Sequence, residues 1–225
     1  MRLGFRRRRL TPAASAYEGT PAPSAETPWR DARYAVVDLE TTGLDPRRDE
    51  IVSFASFPIE AGRVVVGEPR TGVVRPLRMP TAETIRIHGL RPVDLADAPL
   101  LEEALDAILE SLTGRVLVAH VAWVERGFLK AALKPSGLRL REPALDTAIL
   151  TRHVVPPERL PDDGAVALSD AAHELGLPAH SPHTAEGDAL TTAQLFLALA
   201  TRLDRIESQT VGSLARLSRT DTVGP

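Results

Sequence analysis

Cysteine is absent from all 225 residues, which removes disulfides, thiol nucleophiles and thiolate-ligated metals from consideration. No apolar run approaches the roughly 18 residues that a membrane-spanning helix needs. The basic start "MRLGFRRRRLTPAASAYEG" lacks the apolar stretch of a secretory signal. Lysine is scarce as well, with Lys130 and Lys134 the only two among 27 basic residues. Codon bias explains so arginine-rich a chain as readily as phosphate binding does. What remains, 43% hydrophobic and 25% charged, is the composition of an ordinary globular protein. Together these absences make a cytoplasmic location without a membrane partner the expectation.

Charge is unevenly spread. Residues 1–33 carry seven arginines against Glu18, Glu26 and Asp31, a local balance of +4, whereas the whole chain is −3 and the remainder therefore −7. Residues 1–32 are rich in Pro, Ala, Ser, Thr and Arg without periodicity, which predicts a disordered basic leader. Such a leader is either simply solvated or touches phosphates or a partner. Residues 207–225, "ESQTVGSLARLSRTDTVGP", read as a flexible tail. Residues 33–206 between them form one domain without internal repeats.

That core opens on three strand-like runs, Tyr34–Leu39, Ile51–Ile59 and Val64–Val74, joined by the short turns "LDPRRDE" and "EAGR", which predicts antiparallel pairing. "PLLEEALDAILESLTG" has its apolar residues at helical spacing, with Gly114 where a C-cap belongs. "RVLVAH" is a short buried strand, followed by a helix through Phe128, Leu129, Ala132 and Leu133. "ALSDAAHELGL" reads as a short helix capped by Ser169, and a last helix runs from about Thr184 to Ile206. Strands first, then strands alternating with helices, predict an α/β fold with a mixed central sheet flanked by helices.

Four stretches carry chemistry. In "YAVVDLETTGLDP", Asp38 and Glu40 stand two apart on a strand and so point the same way, at the strand end where α/β sheets place ligands. Paired buried carboxylates repel and are costly. A hard cation such as Mg²⁺ or Mn²⁺ relieves them, although a solvated turn tolerates such a pair too. In "SPHTAEGDALTTAQLF", a helix starting near Ala185 would leave His183 on the loop before it and project Asp188 from an early turn. A histidine beside a metal-ligating carboxylate suits general-base activation of water, while a dipole-complementing Asp and a surface His fit the same spacing. "LVAHVAWVERGFL" sets His120 at a strand end and Glu125 in the helix after it. In "TIRIHGL", His88 ends an extended run and lines a cleft.

Taken in order, these stretches resemble the DEDD-type exonucleases of the subgroup with a catalytic histidine, and especially the epsilon-like proofreading 3′→5′ exonucleases of bacterial DNA polymerase III. "VVDLETTGLDP" is similar to the first motif of that family, "IHGL" and the "LDT" at 145–147 to secondary signatures, and "HTAEGDALTTAQLF" to the third motif. The resemblance covers about Tyr34 to Leu203. It implies a ribonuclease H-like fold in which three leading antiparallel strands are followed by parallel ones. It also implies two Mg²⁺ or Mn²⁺ ions held by Asp38, Glu40, Glu125 and Asp188, with His183 as general base. Substrate contacts are implied at Thr41, Thr42, Leu44, His88, His120 and Phe128. The implied substrate is a single-stranded DNA or RNA 3′ end, the product a nucleoside 5′-monophosphate, and a DNA polymerase a possible partner. The second motif departs from the family pattern: Val121 replaces Asn, Val124 replaces Phe, and Glu125 replaces the ligating Asp.

Two other readings stand beside this one. A degenerate exonuclease fold that binds nucleic acid or a polymerase without cleavage is supported by Glu125. A haloacid-dehalogenase-type phosphatase is suggested by Asp38-x-Glu40-x-Thr42, but that mechanism needs a lysine near the site, and both lysines lie in the helix of the second motif.

Overall fold

The computed structural model describes residues 10–161 and 166–219. Residues 1–9, with five of the leader's seven arginines, residues 162–165 and residues 220–225 lie outside this range. The strands are β1 (Tyr34–Thr41), β2 (Ile51–Glu60), β3 (Arg63–Val64), β4 (Arg70–Val73), β5 (Val116–Ala119) and β6 (Ala144–Asp146). They form a mixed sheet in the order β3-β2-β1-β5-β6, with β4 also on β2. β2 is antiparallel to β1, β3 and β4, whereas β5 and β6 continue in parallel. The third strand-like run of the sequence splits into β3 and β4, because Gly67 and Pro69 interrupt it and Pro removes a ladder donor.

The helices are α1 (Pro12–Gly19), α2 (Ala82–His88), α3 (Pro92–Leu95), α4 (Leu101–Leu112), α5 (Trp123–Leu133), α6 (Thr147–Arg152), α7 (Leu168–Glu174), α8 (Ala185–Ile206) and α9 (Val211–Leu217). The period-2 alternation of β1 sorts them into two layers. Tyr34 and Val36 face one core, shared with Phe196 and Leu199 of α8, while Ala35, Val37 and Leu39 face a second, shared with Ile108 of α4 and Leu129 of α5. Asp38 and Glu40 fall on the α8 side by the same parity. β5 pairs with β1 only along Tyr34–Val36, so the carboxyl end of β1 runs past its parallel neighbour. That overhang is the notch in which the acids meet.

The leader and tail expectations need correction over the described residues. Thr11 caps α1 by accepting from Ala14 N, and Ala13, Ala14 and Tyr17 are buried with Leu105 and Ile108 of α4. Trp29 is 1% exposed, lies edge-on to Phe196 at 6.4 Å, and its carbonyl accepts from Tyr34 Oη at 2.8 Å. The two flanks also hold each other: Trp29 N donates to Gln209 O, and Val211 N to Thr27 O. Val211 and Leu214 of α9 are fully buried. Composition failed here because a few large apolar residues, Tyr17, Trp29, Val211 and Leu214, anchor segments whose average is polar. Trp29→Ala is therefore expected to destabilise the fold by about 3–5 kcal/mol, the range for a buried aromatic deletion. A fall in the urea midpoint reads this, and a change below about 1 kcal/mol would return residues 25–33 to the status of a dispensable leader.

Two further expectations are overturned. The "TIRIHGL" segment is helical, not extended: Thr81 caps α2 through Thr84 N, and Gly89 closes it at φ 76°, a left-handed C-cap that glycine adopts freely. α7 begins at Leu168 after Ala167, so Ser169 is its second residue and not its cap.

Candidate metal centre

One carboxylate oxygen each from Asp38, Glu40 and Asp188 lie within 4.8 Å of one another, half-buried in the notch. Asp38 sits opposite Ala55 and Glu40 opposite Ser53 on β2, and the register shifts between Glu40 and Thr41, so the strand bends just past the pair. Asp188 comes from the first turn of α8, which Thr184 caps by accepting from Gly187 N. Glu125, in the first turn of α5, is 4% exposed, and its Oε2 is buried without a hydrogen-bond partner among the described residues. It stands beside the trio and outside the set whose oxygens all converge.

Burial raises the pKa of all four acids, and repulsion from neighbouring carboxylates adds to it at Asp38, Glu40 and Glu125. Burial first, then the charges of Glu125, Glu40 and Asp188, drives the Asp38 carboxyl well above the usual range. Burial, with Asp188 adding to it, pushes Glu40 up to about 7. Glu125 is pushed up to about 8, chiefly by burial, with a backbone hydrogen bond opposing and Asp146 and Glu40 adding. Burial also raises Asp188, against a hydrogen bond and the charge of His183. Four acids strained in this way, one with an orphaned oxygen, are what a hard divalent cation would satisfy. The donor set is all oxygen, as Mg²⁺ and Mn²⁺ prefer.

His183 stands at this centre on an exposed loop, its backbone N donating to Asp188 Oδ2 at 3.0 Å. The loop is clamped to α8. His180 N donates to Thr191 Oγ1 at 2.9 Å, His180 Nε2 meets Gln194 Oε1 at 3.1 Å, and Thr184 Oγ1 donates to Ser181 O at 2.7 Å. Ser181 and His183 both have positive φ, 34° and 63°, so the loop holds an uncommon conformation in place. Gly187 permits it: a Cβ there would stand 2.1 Å from His180 O and 2.4 Å from Ser181 O. Sequence reasoning missed this glycine, whose signal was its place in the first turn of a long helix. Gly187→Ala is expected to shift the loop and lower turnover about a hundredfold, the scale of an ångström-size misplacement, with thermal stability much less affected. An unchanged kcat would show that the loop does not need this approach.

The second motif is organised around Asp146. Its Oδ1 accepts from Ala148 N at the start of α6 and from Val121 N, and its Oδ2 from Ala122 N at 2.8 Å. This ties the turn before Glu125 to the end of β6. Within that turn Val121 has φ 60°, a region costing a β-branched residue roughly 1–2 kcal/mol.

The expected substrate contacts divide. His88 is buried, its Nδ1 accepts from Leu90 N, and its Nε2 has no partner among the described residues; burial lowers its pKa and keeps the ring neutral. Thr41 and Thr42 are buried and used by their own loop, Thr41 Oγ1 donating to Gly43 O and Thr42 Oγ1 to Asp49 Oδ1. Leu44 is exposed on that loop. Two of the expected contacts are engaged elsewhere in this structure. Both His120 ring nitrogens are engaged, with Thr147 Oγ1 at 2.9 Å and Val166 O at 2.7 Å, and burial lowers its pKa, so it braces the fold. Phe128, one turn after Glu125, packs into the core with α4. Lys130 pairs with Glu142 at 3.1 Å and Lys134 caps the far end of α5 from Glu125, which does not favour the phosphatase reading.

A mixed sheet with carboxylates at the end of its central strand defines a ribonuclease H-like fold. The chain belongs to the RNase T exonuclease family, whose profile matches residues 35–196. It is 35% identical over 196 residues to a DNA polymerase III subunit epsilon-like protein of Rhodobacter capsulatus, covering 84% of this chain and 27% of that protein. It is 27% identical to the DNA polymerase III subunit epsilon of Aquifex aeolicus, covering 77% of this chain and 83% of that protein. It is also 30% identical to a PolC-type DNA polymerase III of Thermotoga maritima, of which it spans 14%. The first and last of these relatives are thus much longer than the region they share with it. Exonuclease X, solved in complex with 5′-overhanging duplex DNA, has the same fold, with a TM-score of 0.64 at 22% identity over 83% of this chain and 99% of that one. No helix among the described residues is long and apolar enough to cross a membrane.

Proposed function

We propose that the chain is a metal-dependent 3′→5′ exonuclease that removes nucleoside 5′-monophosphates from single-stranded DNA, or RNA, 3′ ends. The observation that carries this reading is the convergence of Asp38, Glu40 and Asp188 with oxygens within 4.8 Å beside His183, in a chain of the exonuclease family. Asp38, Glu40, Asp188 and Glu125 would hold two Mg²⁺ or Mn²⁺ ions. These ions, when bound, supply Lewis acidity toward phosphate and lower the pKa of water.

The chain's own residues do the rest. His183, exposed on the loop and held by its backbone to Asp188, accepts the proton of the attacking water. His88 offers an unpaired ring nitrogen to the terminal nucleotide, and exposed Leu44 offers an apolar surface. The overhanging end of β1 leaves the acids accessible to a chain end. The names of its relatives support work beside a DNA polymerase, and thus a cytoplasmic location.

The test is release of mononucleotides from a 3′-labelled oligonucleotide in Mn²⁺. His183→Ala is expected to lower the rate by 10²–10⁴-fold, the usual contribution of a general base, with the melting temperature preserved. Full activity in this variant would overturn the assignment of the base. Binding by the wild type without release would favour a degenerate binding module.

A further inference from the structure

A second cleft, of about 890 Å³, opens beside the second motif and is not accounted for by the acids. Its wall includes Trp123, Arg126, Arg152 and Arg219, with Asp146 and Glu142 the acids that line it. Asp146 is 7% exposed and spends its oxygens on backbone N–H groups, while Glu142 is paired with Arg126 at 2.7 Å and with Lys130. Among the described residues, Arg152 and Arg219 make no ion pair and stand exposed. The cleft therefore presents unspent positive charge, in a chain whose net charge is −3.

Trp123 is 57% exposed, unusual for the largest apolar side chain at a helix start. It precedes Glu125 by two residues in the first turn of α5, so the two point about 200° apart around the helix. One turn of α5 thus turns its acid toward the catalytic notch and its indole toward the cleft. Arg126, three residues on, shares the indole's face.

We propose that this cleft is a strand-binding subsite for the nucleotides upstream of the 3′ terminus, with a base stacked on Trp123 and phosphates held by Arg152 and Arg219. The inference rests on the exonuclease reading above. A flat indole accepts any base and arginines accept any backbone, so the subsite binds single strands without sequence preference. It also compensates for a catalytic centre whose carboxylates repel phosphate. Nucleic acid is favoured over a protein partner because the cationic groups lie around an aromatic face borne by the same helix turn that carries Glu125.

The experiment compares a thymidine dinucleotide with a twelve-residue oligothymidylate. Wild type is expected to favour the longer strand in kcat/KM. Trp123→Ala and Arg152→Glu are each expected to shrink that preference about tenfold, in line with the loss of one stacked base or phosphate contact. Equal losses on both lengths, or no loss on either, would overturn the subsite. A second arm reads binding without turnover. The chain has two tryptophans, so in a Trp29→Phe background, which keeps an aromatic ring against Phe196, Trp123 emission reports the cleft alone. Titration with the longer oligothymidylate in EDTA is expected to quench it saturably, with about tenfold weaker binding after Arg152→Glu. This arm decides the matter even if no hydrolysis is found: absence of quenching overturns the subsite, while quenching without hydrolysis would retain it and remove the exonuclease reading.

Discussion

Asp38→Ala is expected to lower mononucleotide release at least a thousandfold and, in the same protein, to raise the stability of the metal-free fold at pH 8. The two effects share one cause. Asp38 is the acid on which the repulsion converges, with Glu125, Glu40 and Asp188 all raising its pKa on top of burial. With metal, that field is the binding energy of the ions; without it, the field opposes folding. Glu40 is shifted from 4.5 to about 7 and Glu125 from 4.5 to about 8. Below about pH 4 both the folded and unfolded states keep these protons, and the groups contribute no pH dependence. Between about 4.5 and 8 the unfolded chain releases protons that the folded one retains, so stability falls as pH rises. The two glutamates together therefore oppose the metal-free fold increasingly from pH 5 to pH 8. Removing Asp38 relaxes its neighbours. The difference in melting temperature between variant and wild type, measured in EDTA, is expected to grow from pH 5 to pH 8, and Mn²⁺ is expected to stabilise the variant less. Retained hydrolysis, or a difference that shrinks as pH rises, would sink the assignment of Asp38 to the metal centre.

Local pattern carried much of this fold. The period-2 rule placed Asp38 and Glu40 on one face of β1 from sequence, because strand geometry leaves no other choice. The apolar stripe of α8 and the position of Ala185 put His183 outside the helix and Asp188 within its first turn for a similarly local reason. What the sequence hid was set by tertiary contact. Trp29 looks like one aromatic in a polar leader until Phe196 and the Gln209 carbonyl meet it. His120 resembles a site residue by position, yet Thr147 and Val166, distant in sequence, take both its nitrogens. Phe128 lies one turn from Glu125 and points into the core instead, which follows from the helical register only once the buried face of α5 is known. Thr84, Ile85 and Ile87 give the stretch before His88 a strand-like composition, whereas Thr81 and Gly89 at its two ends carry the helix signal.

Glu125 distinguishes a working centre from a relic, and exchanging it is expected to move activity in both directions. Glu125→Gln keeps the length and removes the charge. It is expected to cut release about a thousandfold and to stabilise the metal-free protein at pH 8 by about 2 kcal/mol, less than the full shift implies because the buried amide that replaces the acid is itself costly to desolvate. Glu125→Asp keeps the charge and withdraws the oxygens by one methylene toward α5. The present glutamate carries an orphaned Oε2 and stands outside the converging trio, and the turn before it is pinned by Asp146 with Val121 in a left-handed conformation. The backbone is therefore fixed, and only the side chain's length is free to set where the oxygens fall. Aspartate matches the residue that the family resemblance places there. With a misplacement of about 1 Å costing up to a hundredfold, Glu125→Asp is expected to raise kcat in Mg²⁺ about tenfold. A fall instead would mean that the overhanging end of β1 is spaced for glutamate, so that Asp38 and Glu40 have shifted with it. Either result is read from single-turnover release on the 3′-labelled strand. The Gln variant is the control, because it separates the reach of the side chain from its charge.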